Sequence, residues 1–298
     1  MNAIVKRQNF FLQLENTAFK IGAPVLIVSS GYTSTIKAQT QEPWLITQLK
    51  TIPRRNRSKS PDSLIMETSL KRLYEKIDCT SYRLYLTPEC HSLEDASAEF
   101  SELLENQIFK TSENVFLVGH SKGGLLFTHS ISEHLKTSTN LVLVAPTYGC
   151  IMGDEMAFIR TLERHISSNP FQSVDKLLFE VAMKSIGSRR PVDHDMSIGS
   201  DFVNTLDFRA LKNHNVLLIA ARCPEQKLCH PVDAFFRHYG KYIGLNLVGD
   251  GMVSYYNQML PVAYYDSVKK ISSIQATHPR AFSVALPIII NFILNTLK

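Results

Sequence analysis

The chain has 298 residues, of which 44% are hydrophobic and 20% charged. That length can bury one large core, and the balance excludes a disordered or fibrous protein. The formal net charge of +5 falls short of the concentrated basic surface that nucleic-acid binding requires, so no nucleic-acid partner is expected.

The termini and the cysteines predict a cytoplasmic protein without a membrane span. Residues 1–10 are interrupted by polar and charged residues where a signal peptide needs an unbroken apolar run. The apolar stretch at residues 284–294 is too short to cross a bilayer. The five cysteines have neither disulfide nor zinc spacing, so free thiols are favoured over a Cys223–Cys229 bridge.

Short apolar runs of strand length alternate along the chain with longer helical patterns. Strands are predicted at residues 24–29, 82–86, 115–118, 141–145 and 215–221, with a weaker sixth strand at 245–248. Helices are predicted at residues 61–77, 93–109 and 122–135. This alternation is typical of an α/β fold with a mostly parallel central sheet and helices on both faces.

The interval between the fourth and fifth predicted strands, about residues 147–213, is too long for a plain connection. Its apolar residues recur at helical spacing from Met156 to Ile186. We interpret it as a helical cap inserted into a single domain that spans residues 1–298. The alternative is a set of ordinary helices that cover the sheet.

One motif carries a chemical prediction. Gly119-His-Ser-Lys-Gly123 matches G-x-S-x-G and lies between a predicted strand and a predicted helix. A serine raised out of such a sharp turn has a strained backbone, and the residues two before and two after it must be small. Because the glycine spacings of phosphate-binding loops are absent, Ser121 is predicted to be the nucleophile of a serine hydrolase.

A serine hydroxyl needs a base to take its proton, and an acid to hold that base. With this turn, the order along the chain is serine, acid, histidine. Asp250 lies in a glycine-flanked turn, and His278 is the only histidine that follows it. We predict Asp250 as the acid and His278 as the base, with Asp233 and Asp266 as rival acids. A simple β-turn is the other interpretation of the Asp250 segment.

The reaction also needs two backbone N–H donors that stabilise the oxyanion. Lys122, the residue after the nucleophile, should supply one of them. The loop after the first predicted strand should supply the other, and Tyr32 is the candidate there. An ordinary loop without this role is the competing interpretation of Tyr32.

These segments resemble the lipase and esterase branch of the α/β-hydrolase superfamily, in particular triacylglycerol lipases and glycosylphosphatidylinositol-inositol deacylases. The similarity lies in residues 115–124, 144–149, 195–206 and 249–254. It implies hydrolysis of an ester, with lipids among the substrates, and Ser121, Asp250 and His278 as the triad. The loop at Gly31-Tyr-Thr33 departs from the usual His-Gly pair. His278 is followed by Pro-Arg instead of an acidic pair, so no structural calcium is expected.

Two other functions use the same fold: an acyltransferase with the same triad, and a binding module with an inactive site. No cofactor or metal is expected, and the predicted partner is a small-molecule or lipid ester. The basic run at residues 50–59, together with Arg189 and Arg190, would suit peripheral contact with an anionic membrane. A solvated loop is the favoured interpretation of that run.

Overall fold

The structure is a computed structural model that describes residues 4–15, 22–30, 61–87, 89–150, 191–223 and 249–298. Within these ranges eight strands form one sheet. They are β1 Ile4–Lys6, β2 Phe10–Leu14, β3 Val25–Ser30, β4 Thr80–Leu86, β5 Val115–His120, β6 Asn140–Val144, β7 Asn215–Arg222 and β8 Lys270–Gln275.

The order of the strands across the sheet is β1-β2-β4-β3-β5-β6-β7-β8. β2 runs antiparallel to both β1 and β4, and every other neighbouring pair is parallel. β5 therefore lies inside the parallel part, between β3 and β6. The carboxyl ends of parallel strands meet at one edge of a sheet, where ligands bind in open α/β folds.

Five α-helices are described, together with short 3₁₀ segments. The helices are α1 Pro61–Lys76, α2 Leu93–Leu103, α3 Lys122–His129, α4 Asp201–Asn204 and α5 Ala281–Thr296. π-helical turns extend α2 and α3, at Leu104–Ile108 and Ser130–His134. The 3₁₀ segments are Pro191–Met196, Phe208–Asn213, Tyr256–Gln258, Val262–Ser267 and His278–Arg280.

Both faces of the sheet are buried, and the strand sequences explain why. Successive side chains of a strand point to opposite faces, so a strand covered on both sides must be apolar throughout. In β5, Val115 and Leu117 pack in the cluster that includes α2 and α3. Phe116 and Val118 pack in the opposite cluster with α1 and α5. All four side chains are at most 1% exposed.

The structure confirms the five stronger predicted strands and the three predicted helices to within a few residues, except that the second and third of these helices end in π-helical turns. β1, β2 and β8 were not predicted. In β8, Lys-Ile-Ser-Ser-Ile-Gln, most side chains are polar and only Ile274 is buried. β8 is at the edge of the sheet formed by the described strands, and its sequence shows neither an apolar run nor strict alternation. The weak strand predicted at residues 245–248 lies outside the described residues.

The predicted cap interval is described only at residues 147–150 and 191–213. There the chain forms two 3₁₀ segments and the four-residue helix α4. Val192, Phe202 and Phe208 are buried in the same cluster as α2 and α3. The described part of the interval therefore packs onto one face of the fold.

Among the described residues, one helical segment has the length and composition of a membrane span: His278–Thr296, which contains α5. It is longer than the apolar run at residues 284–294, from which the sequence predicts no span. A third of its apolar window is buried. Those buried side chains, Phe282 and Ile289 among them, pack in the cluster shared with α1.

Candidate active site

Ser121 occupies the turn between β5 and α3, and its backbone is strained. Its φ is +56°, in a region that residues with a Cβ rarely adopt. Its N–H donates to the carbonyl of Val144 at the end of β6 (3.0 Å), and its carbonyl accepts the N–H of Gly124 (2.9 Å). These bonds hold the serine in the conformation that raises its side chain above the strand end.

Gly119 and Gly123 are needed because the turn brings backbone segments into close contact. A Cβ on Gly119 would lie 2.6 Å from the carbonyl oxygen of Gly123, and a Cβ on Gly123 would collide with the carbonyl oxygen of Ser29. Neither neighbour is the end of a flexible side chain, so a larger residue would force the backbone apart. The requirement for small residues predicted from the motif is therefore met in the structure.

The three side chains predicted to act together lie in one chain of hydrogen bonds. His278 Nε2 is 2.7 Å from Ser121 Oγ, and His278 Nδ1 is 2.5 Å from Asp250 Oδ2. Since a carboxylate oxygen accepts, Nδ1 carries the proton in this arrangement, which leaves Nε2 as the acceptor facing Ser121. His278 is 5% exposed and Ser121 8% exposed, so the constellation is nearly closed off from solvent.

Asp250 is fully buried and held by its own turn. Its Oδ1 accepts the N–H groups of Met252 (3.0 Å) and Val253 (2.8 Å). The backbone N–H of His278 donates to the Asp250 carbonyl (2.9 Å), which ties the two segments together. Such a set of donors is what a buried carboxylate requires.

The structure separates the rival acids from this constellation where it describes them. Asp266 is exposed, in the 3₁₀ segment Val262–Ser267. Asp233 lies outside the described residues. Of the two candidate acids that the structure describes, it is Asp250, the predicted one, whose carboxylate contacts the His278 ring.

Gln258 is a fully buried side chain that sequence reasoning missed. Its Nε2 lies 3.1 Å from Asp250 Oδ2 and 3.1 Å from the carbonyls of Ala221 and Val253. Its Oε1 accepts the N–H of Ala221 (2.7 Å) at the end of β7. The amide thereby fixes the Asp250 turn to the sheet. An isolated glutamine in an aromatic segment carries no sequence signal for this role.

His120, the residue before Ser121, contacts the other side of the His278 segment. Its Nε2 lies 3.0 Å from the His278 carbonyl and must donate, because a carbonyl only accepts. Burial, together with the nearby His278 ring, lowers the pKa of His120 to about 3. His120 is therefore neutral at physiological pH and adds no charge beside His278. Its hydrogen bond to the His278 carbonyl fixes the position of the His278 backbone.

The side chain of Lys122 forms a buried ion pair that was also not predicted. Lys122 Nζ lies 2.8 Å from Asp193 Oδ1, with side-chain exposures of 1% and 4%. Asp193 belongs to Pro191–Met196, 71 residues further along the chain. Because Lys122 is the first residue of α3, the pair joins the start of that helix to this 3₁₀ segment.

Replacing Asp193 with asparagine is expected to destabilise the protein by about 3–5 kcal/mol, because it removes the carboxylate that lies 2.8 Å from a buried ammonium group. Urea unfolding would measure this loss. Glu75→Gln is the matched control, since it breaks an exposed pair with Lys71 at 3.8 Å and should cost less than about 1 kcal/mol. Equal, small effects of both substitutions would contradict the prediction.

The predicted oxyanion donors are only partly described. Lys122 lies at the N-terminal end of α3, where backbone N–H groups point away from the helix body. Tyr32 lies outside the described residues. No group of three or more His, Cys, Asp or Glu side chains that could hold a metal ion occurs in the described part of the chain.

Comparison with known proteins agrees with this architecture. No family model matches the sequence, and neither does any curated protein. The mature form of a lipase from Bacillus licheniformis superposes with a TM-score of 0.50 at 14% identity, over 97% of this chain and 99% of that one. The propeptide form of the same lipase gives a TM-score of 0.51 at 13% identity, over 97% and 54%. The chain therefore has the α/β-hydrolase fold, as the sequence predicts.

Proposed function

We propose that the chain is a serine hydrolase that cleaves carboxylic esters through an acyl-enzyme intermediate. Ser121 is the nucleophile, His278 the general base and acid, and Asp250 the partner that orients His278. The observation that carries the proposal is the continuous hydrogen-bond chain from Ser121 Oγ through both His278 nitrogens to Asp250 Oδ2. The two similar solved structures are of a lipase, which agrees with this reaction.

In the proposed acylation, His278 Nε2 takes the proton of Ser121 while Oγ bonds to the ester carbonyl carbon. The backbone amides of Lys122 and Tyr32 stabilise the resulting oxyanion, Tyr32 being proposed from the sequence alone. The protonated His278 then gives its proton to the departing alcohol. In deacylation His278 removes a proton from water, which attacks the acyl carbon and releases the acid.

A hydrophobic, lipid-like acyl group is the substrate that we propose. Its support is the apolar sequence between residues 147 and 213, which we propose to contribute a cap beside the active site. Residues 151–190 and the basic run at residues 50–59 both lie outside the described residues. The cap and any contact with a membrane surface therefore rest on the sequence.

Labelling with a fluorophosphonate, followed by peptide mass spectrometry, tests the nucleophile. The label is expected on the peptide that contains Ser121, and p-nitrophenyl esters of increasing acyl length should be hydrolysed. A label on another residue would overturn the assignment of Ser121. Product analysis with added alcohol separates the acyltransferase alternative, since a transferase yields a new ester in place of the free acid.

A further inference from the structure

A second hydroxyl lies beside the candidate nucleophile. Thr147 follows β6, and its Oγ1 is 3.3 Å from Ser121 Oγ. The residue is only 2% exposed, so bulk water does not compete freely for this contact. β6 and β3 flank β5 on opposite sides. Thr147 therefore reaches Ser121 from the β6 side of β5.

The backbone around Thr147 is fixed from several directions. Ala145, with φ +42°, donates its N–H to the Ile219 carbonyl in β7 (2.8 Å). Tyr148 donates its N–H to the Asn257 carbonyl (2.8 Å), and the Asn257 side chain donates back to the Gly149 carbonyl (2.8 Å). Since residues on both sides of Thr147 are tied down, its hydroxyl is held close to Ser121.

The direction of this hydrogen bond follows from the other partner of Ser121. His278 Nε2 is the acceptor in the proposed resting state, so the Ser121 hydroxyl donates its one proton to His278 at 2.7 Å. Ser121 Oγ can then only accept from Thr147. No other hydrogen bond of the Thr147 side chain is formed within the described part of the chain.

We propose that Thr147 is a further catalytic residue, whose hydroxyl donates a hydrogen bond to Ser121 Oγ as negative charge develops on that oxygen. The inference rests on the proposed function. At 3.3 Å the contact is longer than a usual O–H···O bond, so it adds little in the resting state. A charged acceptor shortens and strengthens such a bond. The hydrogen bond from Thr147 therefore stabilises the transition state more than the resting state, and this difference raises the rate.

The reaction balances without proton transfer from Thr147. In acylation the Ser121 proton moves to His278, Oγ bonds to the acyl carbon, and the carbonyl π pair moves onto its oxygen. That pair re-forms the carbonyl as the bond to the alcohol oxygen breaks, and His278 protonates the departing alcohol. In deacylation water gives a proton to His278 and bonds to the acyl carbon, and the bond from Oγ to that carbon then breaks as the carbonyl re-forms. Oγ keeps the electron pair and takes the proton from His278. Charge builds on Oγ in both half-reactions, and in both of them the Thr147 hydroxyl donates to it.

Thr147→Val and Thr147→Ser test the proposal, because valine keeps the shape and removes the donor, while serine keeps the donor. For a p-nitrophenyl ester, Thr147→Val is expected to lower kcat/KM about tenfold, mainly through kcat. The second-order rate of fluorophosphonate labelling should fall by a similar factor, since that reaction also charges Oγ. Thr147→Ser should stay within about threefold of the wild type. Thr147→Ala also removes the hydroxyl but adds no methyl group in its place, so it should show the same loss of rate even if valine disturbs the packing. Circular dichroism checks that each variant is folded.

Wild-type rates in both Thr147→Val and Thr147→Ala would overturn the role of the hydroxyl. So would equal losses in Thr147→Val and Thr147→Ser, because the loss in Thr147→Ser would occur although the hydroxyl is still present. Ser121→Ala, measured in parallel, tests the proposed function separately. If Ser121→Ala still reacts with the fluorophosphonate, the nucleophile is wrong whatever the Thr147 variants do. If it is inert while Thr147→Val keeps full rates, only the inference about Thr147 fails.

Discussion

Ser121→Ala is expected to lower kcat for ester hydrolysis by about 10⁶-fold, the scale of loss when the nucleophile of a serine hydrolase is removed. Among the described residues, the Ser121 hydroxyl forms hydrogen bonds only with His278 and Thr147. Truncation to alanine therefore removes the reacting atom and two hydrogen bonds. Alanine keeps the Cβ and the strained turn, with φ +56°, so the unfolding midpoint should change little.

The measurement is a steady-state rate with a p-nitrophenyl ester, together with fluorophosphonate labelling. Ser101→Ala is the matched control, because Ser101 is also buried and its hydroxyl donates to the Ser97 carbonyl (2.7 Å), away from the site. We expect that variant to keep full activity. A Ser121→Ala protein that hydrolyses the ester within a hundredfold of the wild type would rule Ser121 out.

Asp250→Asn is expected to lower kcat by about 10⁴-fold, the size of effect produced when the histidine of a triad is held in the wrong tautomer. Oδ1 of Asp250 accepts two backbone N–H groups, from Met252 and Val253. An asparagine keeps both of these bonds only with its carbonyl oxygen there, so its NH₂ group faces His278 Nδ1 and Gln258 Nε2. His278 Nδ1 must then accept, and the ring proton moves to His278 Nε2, where it blocks transfer from Ser121.

The opposite amide orientation does not rescue the variant. It would place the NH₂ group against the N–H groups of Met252 and Val253, so that donor faces donor at a fully buried site. Asp266→Asn is the matched control, because Asp266 is exposed and was the rival acid on the described chain. A large loss in Asp266→Asn with near wild-type rates in Asp250→Asn would reverse the assignment.

The strands that could be predicted are those whose burial leaves a pattern within their own residues. β3, β5, β6 and β7 are buried on both faces, so each is a continuous apolar run that stands out in the sequence. β8 lies at the edge of the sheet formed by the described strands and has mostly polar side chains. Its strand conformation depends on pairing with β7, which its own residues do not predict.

At the candidate site, too, some residues could be predicted from the sequence and others only from the structure. The turn at Ser121 was predictable because the strained backbone demands glycine at positions 119 and 123, which is a requirement within five residues. Asp250 and His278 followed from their order along the chain. Gln258 and Thr147 could not be found in this way, since each acts on a residue brought near it by the sheet.

By itself, therefore, the sequence determined the parallel core and the residue types and order of the candidate site. The tertiary structure decided which partners those residues have. It brings Asp193 to Lys122 across 71 residues and Thr147 to Ser121 across 26. The physical reason is that burial and hydrogen bonding across strands depend on distances in space. A pattern within one segment of the sequence, in contrast, indicates only which residue types are compatible with the backbone conformation of that segment.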